Sequence, residues 1–386
     1  MDVVVVGGGI VGLSSAHYLA ERGVDVTLCE AGSLGMQSTA RSAGGIRSQF
    51  STAVNVRLSE ASREVWDDFE DEFGVDIQHR KAGYLFLARS EETAAEFREN
   101  VAMQNDLGVD SEYVDPETAR EYCPGLEPEH FVAATYHDED GFADPNLAVQ
   151  GYAGAAREAG VDVRTKTAVT DVLVDDSGTE RVVTGVETEA ETLRADFVVN
   201  AAGAWANQLA AMADLDLPIE AHRRQVAVVE PTESVPESVP LTIDLERGSY
   251  FRPEREGDAI VGGHFGGDTD PVDPDRYSES MDIDWAAEAV ERAAGHTTYF
   301  DGDSRIKRGW AGLYAVTPDN HAILDEPLPG FVVAAGFSGH GFQHAPATGK
   351  LVAELCVDGE FALTDVSALV ADRFESGSDT DESNVV

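Results

Sequence analysis

The stretch VVVVGGGIVGLSSAHYLAERGVDVTLCE, from Val3 to Glu30, decides the fold. Its four valines predict a short buried strand, and Gly7, Gly9 and Gly12 follow in the pattern G-x-G-x-x-G. A helix with small and apolar residues on one face comes next, and a second strand ends at the acidic Glu30. This order of strand, glycine turn, helix, strand and terminal acid is typical of a Rossmann-like dinucleotide-binding unit.

Each glycine of the motif has a physical task. Gly7 permits the tight turn out of the strand, Gly9 lets the backbone approach a pyrophosphate, and Gly12 lets helix and strand pack closely. The free N–H groups and positive dipole end of the helix attract phosphate. Glu30 stands where a carboxylate accepts hydrogen bonds from ribose hydroxyls. The motif alone leaves open whether the nucleotide is NAD or FAD.

Length and composition predict a globular, cytoplasmic protein. A chain of 386 residues suits two interleaved domains, and no apolar run is long enough to predict a membrane span. The N-terminus reads directly as the first strand, which argues against a secretion signal. The three cysteines, Cys29, Cys123 and Cys356, are too sparse for a disulfide framework and lack metal-ligand spacing, so we expect no metal site.

The charge is unusual. The chain has 72 acidic residues against 27 lysines and arginines, a formal net charge of −45, and the acids are spread along the whole sequence. A global excess of this kind indicates a salt-adapted, halophilic protein, because its self-repulsion is relieved when salt screens it. It argues against binding to nucleic acid or to an anionic membrane.

We therefore predict that stability depends steeply on salt. Lowering KCl from about 2 M to about 0.1 M should lower the melting temperature and release the bound cofactor, since the screening length grows severalfold over that range. Thermal unfolding followed at several salt concentrations measures the effect. Full activity and an unchanged melting temperature in low salt would contradict the halophile interpretation.

The pattern along the chain predicts an α/β fold in which a Rossmann-like domain is interleaved with a β-rich α+β substrate domain. The predicted dinucleotide domain comprises residues 1–80, 144–215 and 325–374, and the substrate domain residues 81–143 and 216–324. Asp144 and Pro145 are the expected N-cap and first residue of a helix. Residues 375–386 form an acidic tail with little to bury, which predicts disorder.

Three further stretches carry a family resemblance: DFVVNAAGAWA at 196–206, WAGLYAVTPDNHAIL at 310–324 and GFSGHGFQHAPATG at 336–349. Together with the N-terminal motif, and in the same order, they resemble the D-amino-acid oxidase superfamily of FAD-dependent oxidoreductases. The sarcosine oxidase and dimethylglycine dehydrogenase branch looks most similar. The resemblance covers about residues 1 to 360, and it implies that the nucleotide is FAD.

The resemblance also implies which residues contact the cofactor. The first motif and Glu30 would hold the ADP half, Val169 would meet the adenine, and the later glycine-rich stretches would pass close to the flavin. The implied cofactor-binding residues are Gly7, Gly9, Gly12, Glu30, Ser38, Thr39, Arg41, Ser42, Gly44, Gly45, Val169, Ala201, Gly203, Gly312, Gly339, His340, Gly341, Phe342 and Gln343.

Enzymes of this family remove a hydride from the carbon beside an amine, so the protein needs a cation for the substrate carboxylate and a few polar orienting groups. Arg47 follows the glycines beside the flavin and is either such a cation, a flavin contact or a structural ion pair. Tyr250 and Arg252 alternate along one strand and either share a role or face solvent. His264 matches a family histidine near the substrate, and Tyr314 completes the candidate set.

Three departures from the monomeric sarcosine oxidases qualify the resemblance. Gly312 stands where those enzymes attach FAD through a cysteine, so we expect noncovalent FAD. Ile260 replaces a lysine that activates oxygen, which favours a dehydrogenase or a slow oxidase. Gln343 replaces a lysine that grips the substrate carboxylate, so either Arg47 or Arg252 takes that role or the substrate differs.

Four functions stay open at this stage. The first is oxidation of a small or N-methylated amino acid, such as sarcosine, dimethylglycine or a proline-like compound, with oxygen or a carrier as electron acceptor. The second is oxidation of a 2-hydroxy acid or glycerol phosphate on a related scaffold. The third is a flavin-carrying subunit that needs a partner subunit, and the fourth is an NAD-dependent dehydrogenase.

Overall fold

The structure is a computed structural model that describes residues 1–265, 270–376 and 381–385. In these ranges the strands are β1 (Asp2–Val6), β2 (Asp25–Glu30), β3 (Gly45–Ile46), β4 (Tyr84–Ala88), β5 (Glu112–Val114), β6 (Ala133–His137), β7 (Gly141–Phe142), β8 (Asp162–Thr165), β9 (Val169–Asp175), β10 (Val182–Thr188), β11 (Thr192–Arg194), β12 (Phe197–Asn200), β13 (Glu220–Glu230), β14 (Leu241–Asp244), β15 (Ser249–Pro253), β16 (Ala259–Gly263), β17 (Arg305–Val316), β18 (Ile323–Leu328) and β19 (Phe331–Ala335).

The α-helices of the same ranges are α1 (Ile10–Glu21), α2 (Ala53–Asp67), α3 (Phe69–Phe73), α4 (Glu91–Asp106), α5 (Pro116–Tyr122), α6 (Pro145–Glu158), α7 (Ala206–Ala211), α8 (Ile283–Ala294), α9 (Gly341–Asp358) and α10 (Arg373–Ser376). None of these helices combines the length and the apolar composition that crossing a membrane requires.

The first sheet has six strands in the order β18-β19-β12-β1-β2-β8. The strands from β8 to β19 pair in parallel, and only β18 is antiparallel to its neighbour. The four valines of β1 are buried on both faces, two in each of two separate cores, which is why that strand is apolar without alternation. Helices α6 and α9 pack against α1 on one side, so the predicted α/β class is confirmed.

The second sheet has eight strands in the order β17-β13-β16-β15-β14-β4-β6-β5, and all neighbours are antiparallel except β14 and β4. Helix α8 packs on β13, β15 and β16 and completes an apolar core beneath the sheet. The strands of the two sheets alternate along the chain, so the chain passes between them several times. The exact domain boundaries stay a prediction.

The start of helix α6 has the predicted cap. Asp144 caps α6, because its carboxylate accepts hydrogen bonds from the N–H groups of Asn146 at 2.9 Å and Leu147 at 3.4 Å, and Pro145 is the first helical residue. This confirms the predicted N-cap.

The chain end differs from the prediction of a disordered tail at 375–386. Within the described residues 381–385, the side chain of Glu382 is fully buried and that of Asn384 nearly so. Glu382 accepts hydrogen bonds from Ser51 and Thr52 at the start of α2, where a carboxylate also offsets the positive helix end. Composition predicted disorder because it counts acidic residues as exposed and cannot show that one of them is buried among hydrogen-bond donors. Residues 377–380 and 386 lie outside the described residues.

Candidate active site

A cavity of about 710 Å³ lies at the carboxyl ends of β1 and β2 and extends to the face of β13 and β17. This position, outside the carboxyl ends of parallel strands, is where open α/β sheets bind nucleotides. Most of the predicted cofactor residues line it, namely Gly7, Gly9, Glu30, Ser38, Thr39, Arg41, Ser42, Val169, Ala201, Gly203, Gly312, Gly339, Gly341 and Phe342.

Backbone packs closely against the glycine turn at Gly7 and Gly12. Gly7 has φ of +112°, and a Cβ there would overlap the carbonyl oxygen of Ala201. A Cβ on Gly12 would overlap the carbonyl oxygen of Gly7, so Gly12 serves packing and does not line the cavity. Gly44 likewise lies against the backbone of Ala143. It lines neither this cavity nor the smaller one that adjoins it.

Hydrogen bonds hold the edges of the cavity. Glu30 accepts from the N–H of Gly8 at 2.8 Å and of Gly32 at 2.6 Å, so its carboxylate is fixed at the cavity rim. The Thr39 hydroxyl accepts from the N–H of Ile10 at 3.2 Å. These contacts join the loop after β2 to the start of α1, next to the free N–H groups that suit a pyrophosphate.

Helix α9 begins at the wall of the cavity. Its first turn contains no acidic residue, so the positive end of the helix dipole is not offset by a local charge. Gly341 and Phe342 of that turn line the cavity. A group that gains negative charge would be stabilised there.

Gly312 on β17 is covered by the side chain of Arg41, whose guanidinium forms an ion pair with Glu279 at 2.7 Å. Of the three cysteines, only Cys29 lines the large cavity, beside Glu30 and far along the chain from the β17 wall. Burial raises the pKa of the Cys29 thiol to about 11, which makes it a poor nucleophile at neutral pH.

A second cavity of about 80 Å³ adjoins the first. The two share part of their lining, including Ser42, Tyr250, Tyr314, Gly339 and Phe342. The predicted residues Gly45, Arg47, His340 and Gln343 line only the smaller cavity. The arrangement is therefore a long cavity of dinucleotide size with a compartment the size of a small molecule at one end.

Arg47 is the cation of the small cavity. Its side chain is buried, with the guanidinium carbon 3.9 Å from the ring centre of Phe50, and it donates hydrogen bonds to the carbonyl oxygens of Gln49 and Asn384. Within the described ranges no carboxylate lies within ion-pair distance of it. Burial lowers the pKa of Arg47 and the charge of Glu382 opposes that shift, and a guanidinium stays protonated in either case.

Three tyrosines surround this cation, Tyr84 from β4, Tyr250 from β15 and Tyr314 from β17. Burial raises the pKa of all three phenols. They are therefore neutral at physiological pH and offer hydroxyl groups that both donate and accept.

His264 lines the large cavity, and its ring centre lies 5.4 Å from that of Tyr314 in an edge-to-face arrangement. Burial, reinforced by the charge of Arg224, holds the pKa of His264 well below its usual value. The imidazole is therefore neutral near pH 7, in a form that can accept a hydrogen bond.

Arg252 was expected either to share a role with Tyr250 or to face solvent. It is buried, but its guanidinium donates to the carbonyl oxygen of Pro253 at 2.9 Å and to the carboxylate of Glu254 at 3.0 Å. It lines neither of the two cavities, whereas Tyr250, two residues earlier, lines both. Strand alternation places both residues on one face, but the Arg252 guanidinium is paired with Glu254 outside the cavities. Its position therefore does not support binding of the substrate carboxylate.

Several residues that line the cavities were not among the predicted ones, and Arg224, Tyr84, Asn384 and Val385 are examples. Arg224 on β13 lies opposite Gly312 on β17, with its guanidinium 5.6 Å from the ring centre of Tyr314. Tyr84, Asn384 and Val385 line the small cavity, and no local pattern marks them.

The comparisons with known proteins agree with this geometry. The family model described as DAO, FAD dependent oxidoreductase, matches residues 2–355. FAD-dependent oxidoreductase domain-containing protein 1 of Xenopus laevis is 31% identical over 426 residues, covering 100% of this chain and 85% of that protein. Sarcosine oxidase subunit beta of Arthrobacter sp is 30% identical over 390 residues, covering 99% and 93%.

Among solved structures, L-proline dehydrogenase from P. horikoshii superposes with a TM-score of 0.87 at 35% sequence identity, and the match covers 98% of each chain. The resemblance inferred from the four sequence motifs is thereby confirmed, together with the fold it implied. The chain belongs to the DAO family of FAD-dependent oxidoreductases.

Proposed function

We propose that this protein oxidises the C–N bond of a small amino acid or N-methylated amino acid, of the sarcosine, dimethylglycine or proline type, to an imine. The observation that carries the proposal is the buried Arg47 cation in a small cavity lined by tyrosines, directly adjoining a cavity of dinucleotide size. The names of the similar proteins point to the same substrate class.

The residues of the large cavity fit FAD. Gly9 leaves room for its backbone to approach a pyrophosphate, Glu30 is placed for a ribose, and the start of α9 offers a positive field at the cavity wall. When bound, FAD supplies the hydride acceptor for the reaction.

The small cavity fits the substrate. Arg47 would bind the carboxylate, because a guanidinium offers paired donors that match its geometry. Tyr250 and Tyr314 would orient the nitrogen through neutral hydroxyls, and the neutral imidazole of His264 near Tyr314 could accept a hydrogen bond from the substrate. Holding the amine neutral and in place is what this chemistry asks of the protein.

The proposed electron acceptor is a carrier rather than oxygen. Ile260, at the position of the family's oxygen-activating lysine, is buried in β16, and among the described residues no lysine lines either cavity. The lysine whose charge would stabilise reduced oxygen species is thus absent at this position.

Anaerobic reduction tests the proposed function. The protein is purified in high salt, loaded with FAD and mixed with sarcosine, dimethylglycine or proline while the flavin absorption is followed. Rapid bleaching by one of them is expected, with slow recovery in air and fast recovery with an artificial acceptor. Bleaching only by a 2-hydroxy acid or by glycerol phosphate would contradict amine oxidation.

A second candidate is a flavin-carrying subunit of a heteromeric enzyme. It is favoured by the similarity to a sarcosine oxidase subunit along almost its whole length. Size determination of the purified chain, together with its turnover, tests this. A homo-oligomer or monomer with full turnover would exclude the need for a partner.

We also predict that FAD is bound noncovalently. The side chain of Arg41 covers Gly312, and burial raises the pKa of the thiol of Cys29, which lines the large cavity. Acid precipitation of the yellow protein should release essentially all flavin into the supernatant. Flavin that stays with the precipitated chain would contradict this.

A further inference from the structure

The described residues 381–385 lie against the small cavity, far in sequence from every other element that lines it. Asn384 and Val385 contribute to its wall beside Arg47, Tyr84 and Tyr250. The side chain of Asn384 is 4% exposed, as buried as residues of the apolar cores. This part of the chain is thus a component of the pocket and not a surface strand that happens to pass near it.

Glu382 anchors this segment in a socket made for one carboxylate. One oxygen accepts from the N–H of Ser51 at 2.8 Å and from its hydroxyl at 2.7 Å, and the other from the hydroxyl of Thr52 at 2.7 Å and the amide of Asn55 at 3.0 Å. Burial raises the pKa of Glu382, but these hydrogen bonds outweigh it and leave the pKa below its usual value. The anchor is therefore ionised at neutral pH.

The backbone is held as firmly as the side chain. The N–H of Glu382 donates to the carbonyl oxygen of Asp319 at 3.0 Å, and the amide of Asn320 donates to the carbonyl oxygen of Glu382 at 3.1 Å. The N–H of Ser383 donates to the Ser51 hydroxyl at 2.9 Å. Two separate regions of the chain, one before α2 and one before β18, thus hold the segment in a single register.

The segment in turn contacts Arg47, the proposed binding partner of the substrate carboxylate. The carbonyl oxygen of Asn384 accepts a hydrogen bond from Arg47, and its side-chain amide donates to the carbonyl oxygen of Gln49 at 3.3 Å. Arg47 also donates to Gln49, so these three residues form one closed set of hydrogen bonds. A guanidinium held on one edge in this way presents its remaining N–H groups in a fixed direction.

We infer that residues Asp381–Val385 form a wall of the substrate pocket that limits substrate size, with Glu382 as its anchor and Asn384 as a positioning residue for Arg47. The inference rests on the proposed assignment of the small cavity to the substrate. Selectivity for small substrates then depends on residues 381–385 and not only on the side chains of the eight-stranded sheet.

The test measures which carboxylates fit, without relying on turnover. Acetate and phenylacetate are titrated into the FAD-loaded protein, and their dissociation constants are read from the change in flavin absorption. In a chain that ends before residue 381, the preference for acetate over phenylacetate should fall by roughly tenfold or more, as expected when a pocket gains room for extra carbons. An unchanged preference in a folded, yellow truncated protein would overturn the inference.

A variant of the full chain covers the case in which truncation prevents folding. Val385→Trp keeps the Glu382 anchor and fills the cavity, so it should weaken acetate binding by roughly tenfold or more while FAD content stays normal. Glu375→Gln, at an exposed carboxylate in α10, is the matched control and should bind both ligands as the parent does. Unchanged acetate binding by Val385→Trp would also overturn the inference.

Adding the missing segment back as a peptide distinguishes loss of the pocket wall from a general loss of stability in the truncated protein. The peptide Asp-Glu-Ser-Asn-Val, which corresponds to residues 381–385, should restore the acetate preference of the truncated protein, and the same peptide with glutamine for glutamate should not. Parent protein that binds acetate normally but is bleached by no amine would contradict the proposed function alone. Normal amine oxidation with an unaltered ligand preference after truncation would contradict the wall alone.

Discussion

Replacing Arg47 with methionine is expected to lower kcat/KM for the amino-acid substrate by at least about a hundredfold. The loss corresponds to roughly 3 kcal/mol, within the range for removing one partner of a buried hydrogen-bonded charge pair. Most of the loss should appear in KM, because the carboxylate is bound equally in the ground state and the transition state. Steady-state kinetics with an artificial acceptor, together with acetate binding, measure it.

Two other arginines provide the comparison. Arg276→Gln alters a side chain that is 86% exposed and should leave the kinetics unchanged. Arg252→Met should lower the free energy of unfolding, because the partly buried Glu254 loses its partner, while acetate binding remains. If Arg252→Met abolished acetate binding and Arg47→Met did not, the two roles would be reversed and the site assignment would be wrong.

The substitution Gly12→Ala should lower both the affinity for FAD and the free energy of unfolding. Its new Cβ would overlap the carbonyl oxygen of Gly7, so the helix must move away from the first strand. Overpacking of this kind costs about 1–3 kcal/mol. Because the same movement displaces the phosphate-binding turn, FAD affinity should fall by at least about tenfold, or 1.4 kcal/mol. Urea unfolding and the ratio of flavin to protein absorption report the two effects.

Gly154→Ala is a matched control for Gly12→Ala. Gly154 lies within α6, and a Cβ there would meet no atom within 4 Å. Alanine should therefore stabilise the protein by about 0.5–1 kcal/mol through its higher helix propensity, with no change in FAD content. A Gly12→Ala protein as yellow and as stable as the Gly154→Ala protein would show that the glycine motif is not under steric constraint.

Much of the site could be read from the sequence. The G-x-G-x-x-G turn, the N-cap at Asp144 and the buried valine strand were all predictable, since each depends on backbone sterics and hydrogen bonds among adjacent residues. Three further motifs in family order identified the family and therefore FAD. Arg47, Tyr250 and Tyr314, which were candidate substrate contacts from their motifs, also line the small cavity.

The sequence could not separate Arg47 from Arg252. Both are buried arginines, and both were candidates for binding the substrate carboxylate. Their surroundings differ because Glu254 stands two residues from Arg252, whereas the Arg47 guanidinium, within the described ranges, donates to carbonyl oxygens and packs on aromatic rings. Whether an arginine finds an acid or a cavity depends on the path of its side chain, and that path is set by packing.

By itself the sequence determined the α/β fold, the dinucleotide turn and the family, because these follow from residue patterns within short stretches. Only the tertiary structure decided that Arg47 faces the small cavity and that the acidic chain end docks beside it. The contact between Arg47 and Asn384 spans 337 residues. Composition predicted that end to be disordered because it has few apolar residues, but a single buried carboxylate with several hydrogen-bond donors holds it in place.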